Sequence, residues 1–137
     1  VSRVGNLALI VVGGMVGTAA RAALESALPA AAGLWPWTTF WINVSGSLAL
    51  GLLAELLAAG EDVSWRRSVR LGVGTGMLGG YTTYSTFSVE TVELLRSGNW
   101  LPGLAYPVAS LLAGIATAAL AMVAVRKSRR LGEKPCC

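Results

Sequence analysis

Four long apolar runs, at 5–28, 37–57, 69–95 and 101–125, take up most of this 137-residue chain. Each reaches the roughly 20 residues with which a helix crosses a hydrocarbon core. The expected fold is therefore an all-α integral membrane protein with four transmembrane helices. It forms one membrane domain over 1–137, with a basic C-terminal tail at 126–137. The connections are short, so helices adjacent in sequence run antiparallel.

Composition excludes several other classes. The residues are 54% hydrophobic and 13% charged, against about 25% charged in soluble domains. With no His, no paired nucleophile and base and no metal-ligand cluster, the chain is not expected to be an enzyme. The net charge of +4 does not point to nucleic acid, because the basic residues sit at segment ends, where topology signals belong. A signal peptide competes for the first run, but Gly13, Gly14, Gly17 and Arg21 make a poor signal core. Gly74-Thr75-Gly76-Met77-Leu78-Gly79 matches GxGxxG in letters only; no strand precedes it and no βαβ pattern surrounds it. Cys136 and Cys137 read as an exposed tail, with palmitoylation as the alternative.

With four spans, the N-terminus, the second loop and the C-terminus share a side. That side carries Arg3, Arg66, Arg67, Arg70, Arg126, Lys127, Arg129, Arg130 and Lys134; the other carries Arg21 and Arg96. Positive charge stays inside, so the expectation is a multi-pass protein of the cell (inner or plasma) membrane with both termini cytoplasmic.

Small residues recur four apart at Gly13/Gly17, Ser47/Gly51, Gly72/Gly76/Gly80 and Ser110/Gly114. In lipid this spacing lets helix backbones approach closely, within a chain or between chains. The third run is the unusual one. Its middle, Gly79 to Ser88, joins two glycines to threonines and aromatics, a poor helix by propensity. Such sequence is tolerated at membrane depth where it is buried in protein or lines a wet cavity. Both a kinked packing helix and an ion-binding break fit, and the residues favour the break. Asn43 is a lone amide within the second run, either interhelical glue or a donor to an ion. Tyr106, Ser110 and Gly114 share a face of the fourth run. No carboxylate lies near the centre of a span, which disfavours a proton-coupled antiporter.

Gly79-Gly80-Tyr81-Thr82-Thr83-Tyr84-Ser85-Thr86-Phe87-Ser88-Val89-Glu90 resembles the GGxTTFSTFSxE motif of Fluc (CrcB-type) fluoride channels. Gly13-Gly14-Met15-Val16-Gly17 with Arg21 resembles the family's GGxxGxxxR, and Asn43-Val44-Ser45-Gly46-Ser47 its NxxGS. The resemblance implies an antiparallel dimer, its third helix broken mid-membrane, that lets fluoride leave the cytoplasm passively and so relieves toxicity. It implies Asn43, Thr83, Tyr84, Ser85, Thr86, Phe87, Tyr106 and Ser110 as pore residues, with Glu90 near a pore end. The backbone carbonyls of Gly79 and Thr82 would hold a structural Na⁺ at the dimer centre. Gly13, Gly14, Gly17, Arg21, Gly46, Ser47 and Gly80 would be framework. Tyr84 stands where the family usually has Phe, and Gly114 where another hydroxyl is expected. The charge bias fits one orientation, which asks for a paralogous partner; a homodimer stays open beside that heterodimer. Alternatives are a small four-helix proton-coupled multidrug-type transporter and a non-conducting partner subunit.

Overall fold

A computed structural model describes residues 3–31, 33–58 and 63–132. Lys134, Cys136 and Cys137 lie outside the described residues. The elements are α1 (Arg3–Ala27), α2 (Trp37–Ala58), α3 (Ser64–Val69), a π-helical segment (Arg70–Leu78), α4 (Gly79–Tyr81), α5 (Ser85–Arg96) and α6 (Trp100–Gly132). Among the described residues there is no strand.

Among the described residues, three helices are long and apolar enough to cross a membrane: Arg3–Ala27, Trp37–Ala58 and Trp100–Leu131. Only 6% of the apolar window of α1 is buried inside the protein. Its Val4, Leu7, Val11, Val12, Met15 and Val16 point outward, a surface suited to lipid rather than water. The third apolar run is not one continuous helix. Three residues, 82–84, separate α4 from α5. The helix also begins earlier than the run, at Ser64. The fourth helix continues past 125 to Gly132, so the first part of the basic tail is helical.

Glycine decides which helices touch. A Cβ on Gly13 would strike the carbonyl of Gly72, and one on Gly17 the carbonyl of Met77. Conversely, a Cβ on Gly76 would lie 2.7 Å from Ile10 O, and one on Gly80 2.5 Å from Gly14 O. Thus α1 and the π-helical segment lie backbone to backbone, running parallel through two interlocked small-residue faces. The π-helix, with its wider i→i+5 turns, falls on this glycine-rich stretch, where few side chains oppose the irregular geometry.

The other tight pair is α2 with α6, also parallel. A Cβ on Gly51 would sit 2.6 Å from Ala118 O, and Glu55 pairs with Arg126 at 2.9 Å. Consecutive segments do run antiparallel, yet the closest packing joins first to third and second to fourth. Glycine registers rather than sequence adjacency set these contacts. At the foot of α2, Arg129 donates to Leu56 O at 2.9 Å and Arg66 to Leu57 O at 3.4 Å. Cations thus meet the negative end of the helix dipole, and three basic residues gather at one end of the molecule.

Candidate functional site

The interruption after Tyr81 is the centre of the site. Thr82 leaves the helix in extended conformation (φ −72°, ψ 151°). Its N–H still donates to Leu78 O at 3.0 Å, and so does its hydroxyl, at 3.0 Å. Thr83 marks the change. Its N–H donates to Asn43 Oδ1 at 2.9 Å, and its carbonyl accepts from Asn43 Nδ2 at 3.0 Å. One amide side chain on α2 thereby holds both backbone groups of one residue in the break. Gly46, one turn further along α2, gives the break room: a Cβ there would overlap the methyl of Thr82.

The Thr83 hydroxyl starts the next helix. It accepts from Thr86 N–H at 3.1 Å, which is a capping bond three residues ahead. It also donates to Thr86 Oγ1 at 3.1 Å and lies 3.2 Å from Ser85 Oγ. Thr83, Ser85 and Thr86 therefore form one hydroxyl cluster at the positive end of α5. On the α1 side, Gly80 O accepts from Thr18 Oγ1 and Arg21 Nε, each at 3.4 Å. Arg21 also pairs with Glu25 at 3.1 Å. Gly79 faces open space, with no atom within 4 Å of a Cβ built on it.

Beside the break runs an open groove of about 720 Å³. Asn43, Gly46, Ser47, Gly79, Thr82, Thr83, Tyr84, Phe87, Ser110 and Gly114 line it, with Leu50, Leu111 and Ile115 among its apolar walls. Ser110 is 8% exposed, and its hydroxyl has no hydrogen-bond partner. A buried, unbonded hydroxyl is costly, so its place on the groove wall matters. Tyr84 is 81% exposed, and its ring centroid lies 6.1 Å from that of Phe87.

Tyr106 and Glu90 stand off this groove in a buried cluster. Tyr106 O–H donates to Glu90 Oε2 at 2.9 Å, and Thr39 Oγ1 donates to Glu90 Oε1 at 2.7 Å. Tyr106 and Thr39 are 0% and 1% exposed. Two hydroxyls thus satisfy a carboxylate held between α2, α5 and α6. Phe87 links cluster and groove, its ring 5.2 Å from that of Tyr106. Trp35 packs edge-on against Tyr106 at 5.4 Å and keeps a buried indole N–H without a partner. Sequence reasoning missed Thr39 and Trp35. The i, i+4 spacing of Thr39, Asn43 and Ser47 along one helix face was the available signal for Thr39. Gly13, Gly14, Gly17, Arg21 and Gly80 lie in the α1 contact rather than on the groove wall.

Among the described residues the fold is all-helical, and three apolar helices of spanning length beside an interrupted helical stretch with a polar-aromatic groove define a multi-pass integral membrane protein. The model of the CrcB-like protein, Camphor Resistance (CrcB) family matches residues 8–122. The chain belongs to that family. It is 45% identical over 119 residues to "Fluoride-specific ion channel FluC 1" of Cutibacterium acnes, covering 86% of this chain and 83% of that one. It is 47% identical over 112 residues to "Fluoride-specific ion channel FluC 2" of Leifsonia xyli subsp. xyli, covering 81% and 77%. It is 41% identical over 126 residues to "Fluoride-specific ion channel FluC 1" of Mycobacterium bovis, covering 90% and 92%. By name these relatives are channels, not enzymes.

Proposed function

We propose that this chain is a subunit of a fluoride-selective passive channel that releases fluoride from the cytoplasm. The observation that carries this reading is the groove, where the unpartnered Ser110 hydroxyl, the Asn43 amide and the Phe87 ring share a wall in a member of this family. Fluoride is small and tightly hydrated, so its water shell must be replaced group by group. Hydroxyl and amide hydrogens supply donors, and the positive edges of Phe87 and Tyr84 suit an anion. The α5 N-terminus adds partial positive charge near the break.

The pieces α3 to α5 would serve as the third of four spans, placing the break at mid-membrane. Irregular backbone there is tolerated where protein or water covers it. An antiparallel second subunit would cover the open groove and bury Tyr84. A Na⁺ ion fits the carbonyls of Gly79 and Thr82: Gly79 is exposed and open, and carbonyls at a helix C-terminal end carry negative character. When bound, the cation would add positive potential in a region of low dielectric. Gly79 and Thr82 would hold it, while Gly46 gives their segment the space it occupies.

The charge bias supports a fixed orientation and hence a heterodimer with a paralogous subunit. The experiment is fluoride efflux from liposomes carrying the purified chain, with chloride as the control. Fluoride release without chloride release is expected, from the chain alone or with its co-expressed paralogue. Equal leakage of both anions counts against a selective pore.

A further inference from the structure

In a continuous helix the Thr83 amide donates to the carbonyl four residues back, that of Gly79. Here that N–H goes to Asn43 Oδ1 at 2.9 Å. The preceding bond keeps its helical form, with Thr82 N–H on Leu78 O at 3.0 Å, so the departure begins at the residue Asn43 holds. The carbonyls flanking Gly79 have side-chain partners: Leu78 O takes the Thr82 hydroxyl, and Gly80 O takes Thr18 and Arg21. Asn43 diverts the donor that Gly79 O would otherwise receive. Gly79 itself borders open space. Asn43 also donates to Thr83 O at 3.0 Å, so the diversion is held at two points and resists rotation of the peptide.

We infer that Asn43 is a positioning residue for the cation site: by replacing the helix's own bond, it turns the Gly79 carbonyl from an internal acceptor into an available ligand. This rests on the Na⁺ reading above. Without the amide, Thr83 N–H can return to Gly79 O, and the helix closes over its own ligand.

The test is thermal unfolding of the purified full-length chain, titrated with NaCl against N-methylglucamine chloride at constant ionic strength. Wild type is expected to gain stability saturably with Na⁺. Asn43→Ala is expected to raise the half-saturating Na⁺ concentration by about tenfold or more, the loss of roughly one good hydrogen bond's worth of organisation. If wild type gains nothing from Na⁺, the cation reading fails and this inference with it. If wild type responds but Asn43→Ala is merely less stable by the same amount in both salts, the cation reading stands and the positioning role falls. A measurement on the unmodified protein guards against variants that do not fold. Amide hydrogen exchange across 79–84, and in the peptide carrying Asn43, should slow together as Na⁺ is added; exchange indifferent to Na⁺ at Asn43 overturns the coupling.

Discussion

Ser110 shows how one residue can be costly to the fold and useful to the site. Its hydroxyl is buried without a partner, a situation worth about 1–3 kcal/mol against folding. Ser110→Ala therefore should leave stability unchanged or raise it by up to about 2 kcal/mol. The same change should lower fluoride flux about tenfold, because an anion in the groove loses a donor worth roughly 1.4 kcal/mol. Melting curves and liposome efflux on one preparation check both halves. Parallel loss of stability and flux would make Ser110 a packing residue. Tyr84 is a different case. Its ring is the most uncovered aromatic near the break, and its hydroxyl departs from the Phe the family motif carries.

Among the elements, the α1 contact with the π-helical segment sets a sharp steric test. Gly14 and Gly17 differ by less than one turn, but their surroundings do not match. A Cβ on Gly17 overlaps the backbone of Met77, whereas on Gly14 the nearest atom is Gly76 O at 3.9 Å. Gly17→Ala should thus cost about 3 kcal/mol or prevent assembly. Gly14→Ala should cost well under about 1 kcal/mol. Denaturation in detergent compares them directly, and equal effects would mean that α1 does not pack in this register. The α2–α6 pair follows the same logic through Gly51 and Ala118, with the Glu55–Arg126 contact closing its basic end.

At the scale of the whole molecule, the distribution of basic residues argues for one orientation. Arg66, Arg126 and Arg129 converge on the end of α2, so three of the basic residues counted on that side meet in space. A reporter fused to the C-terminus is expected to signal only from the cytoplasmic side. Signal from both faces of the membrane would show dual insertion and restore the homodimer. The outward apolar surfaces of α1 and the uncovered groove address different surroundings. The first suits acyl chains, and the second, with its polar wall, suits another protein surface.

Much of this was legible in the sequence because it follows from length, polarity and local propensity. An apolar run of about 20 residues must become a helix in lipid, and Gly-Gly before threonines and aromatics is weak helix wherever it lies. That reasoning reached the all-helical architecture and the site of interruption; the pore residues came from the motif resemblance, not from propensity. It could not reach the partners. Asn43 reads equally as glue or as ion donor until its Oδ1 and Nδ2 are found on the two backbone groups of Thr83. Tyr106 and Glu90 stand far apart along the chain, and only the fold shows that both Tyr106 and Thr39 donate to the Glu90 carboxylate. The glycine faces announce close packing without saying that first meets third and second meets fourth. Pattern along a chain is set by what each residue tolerates locally; pairing is set by which surfaces interlock in three dimensions, and only the tertiary structure decides that.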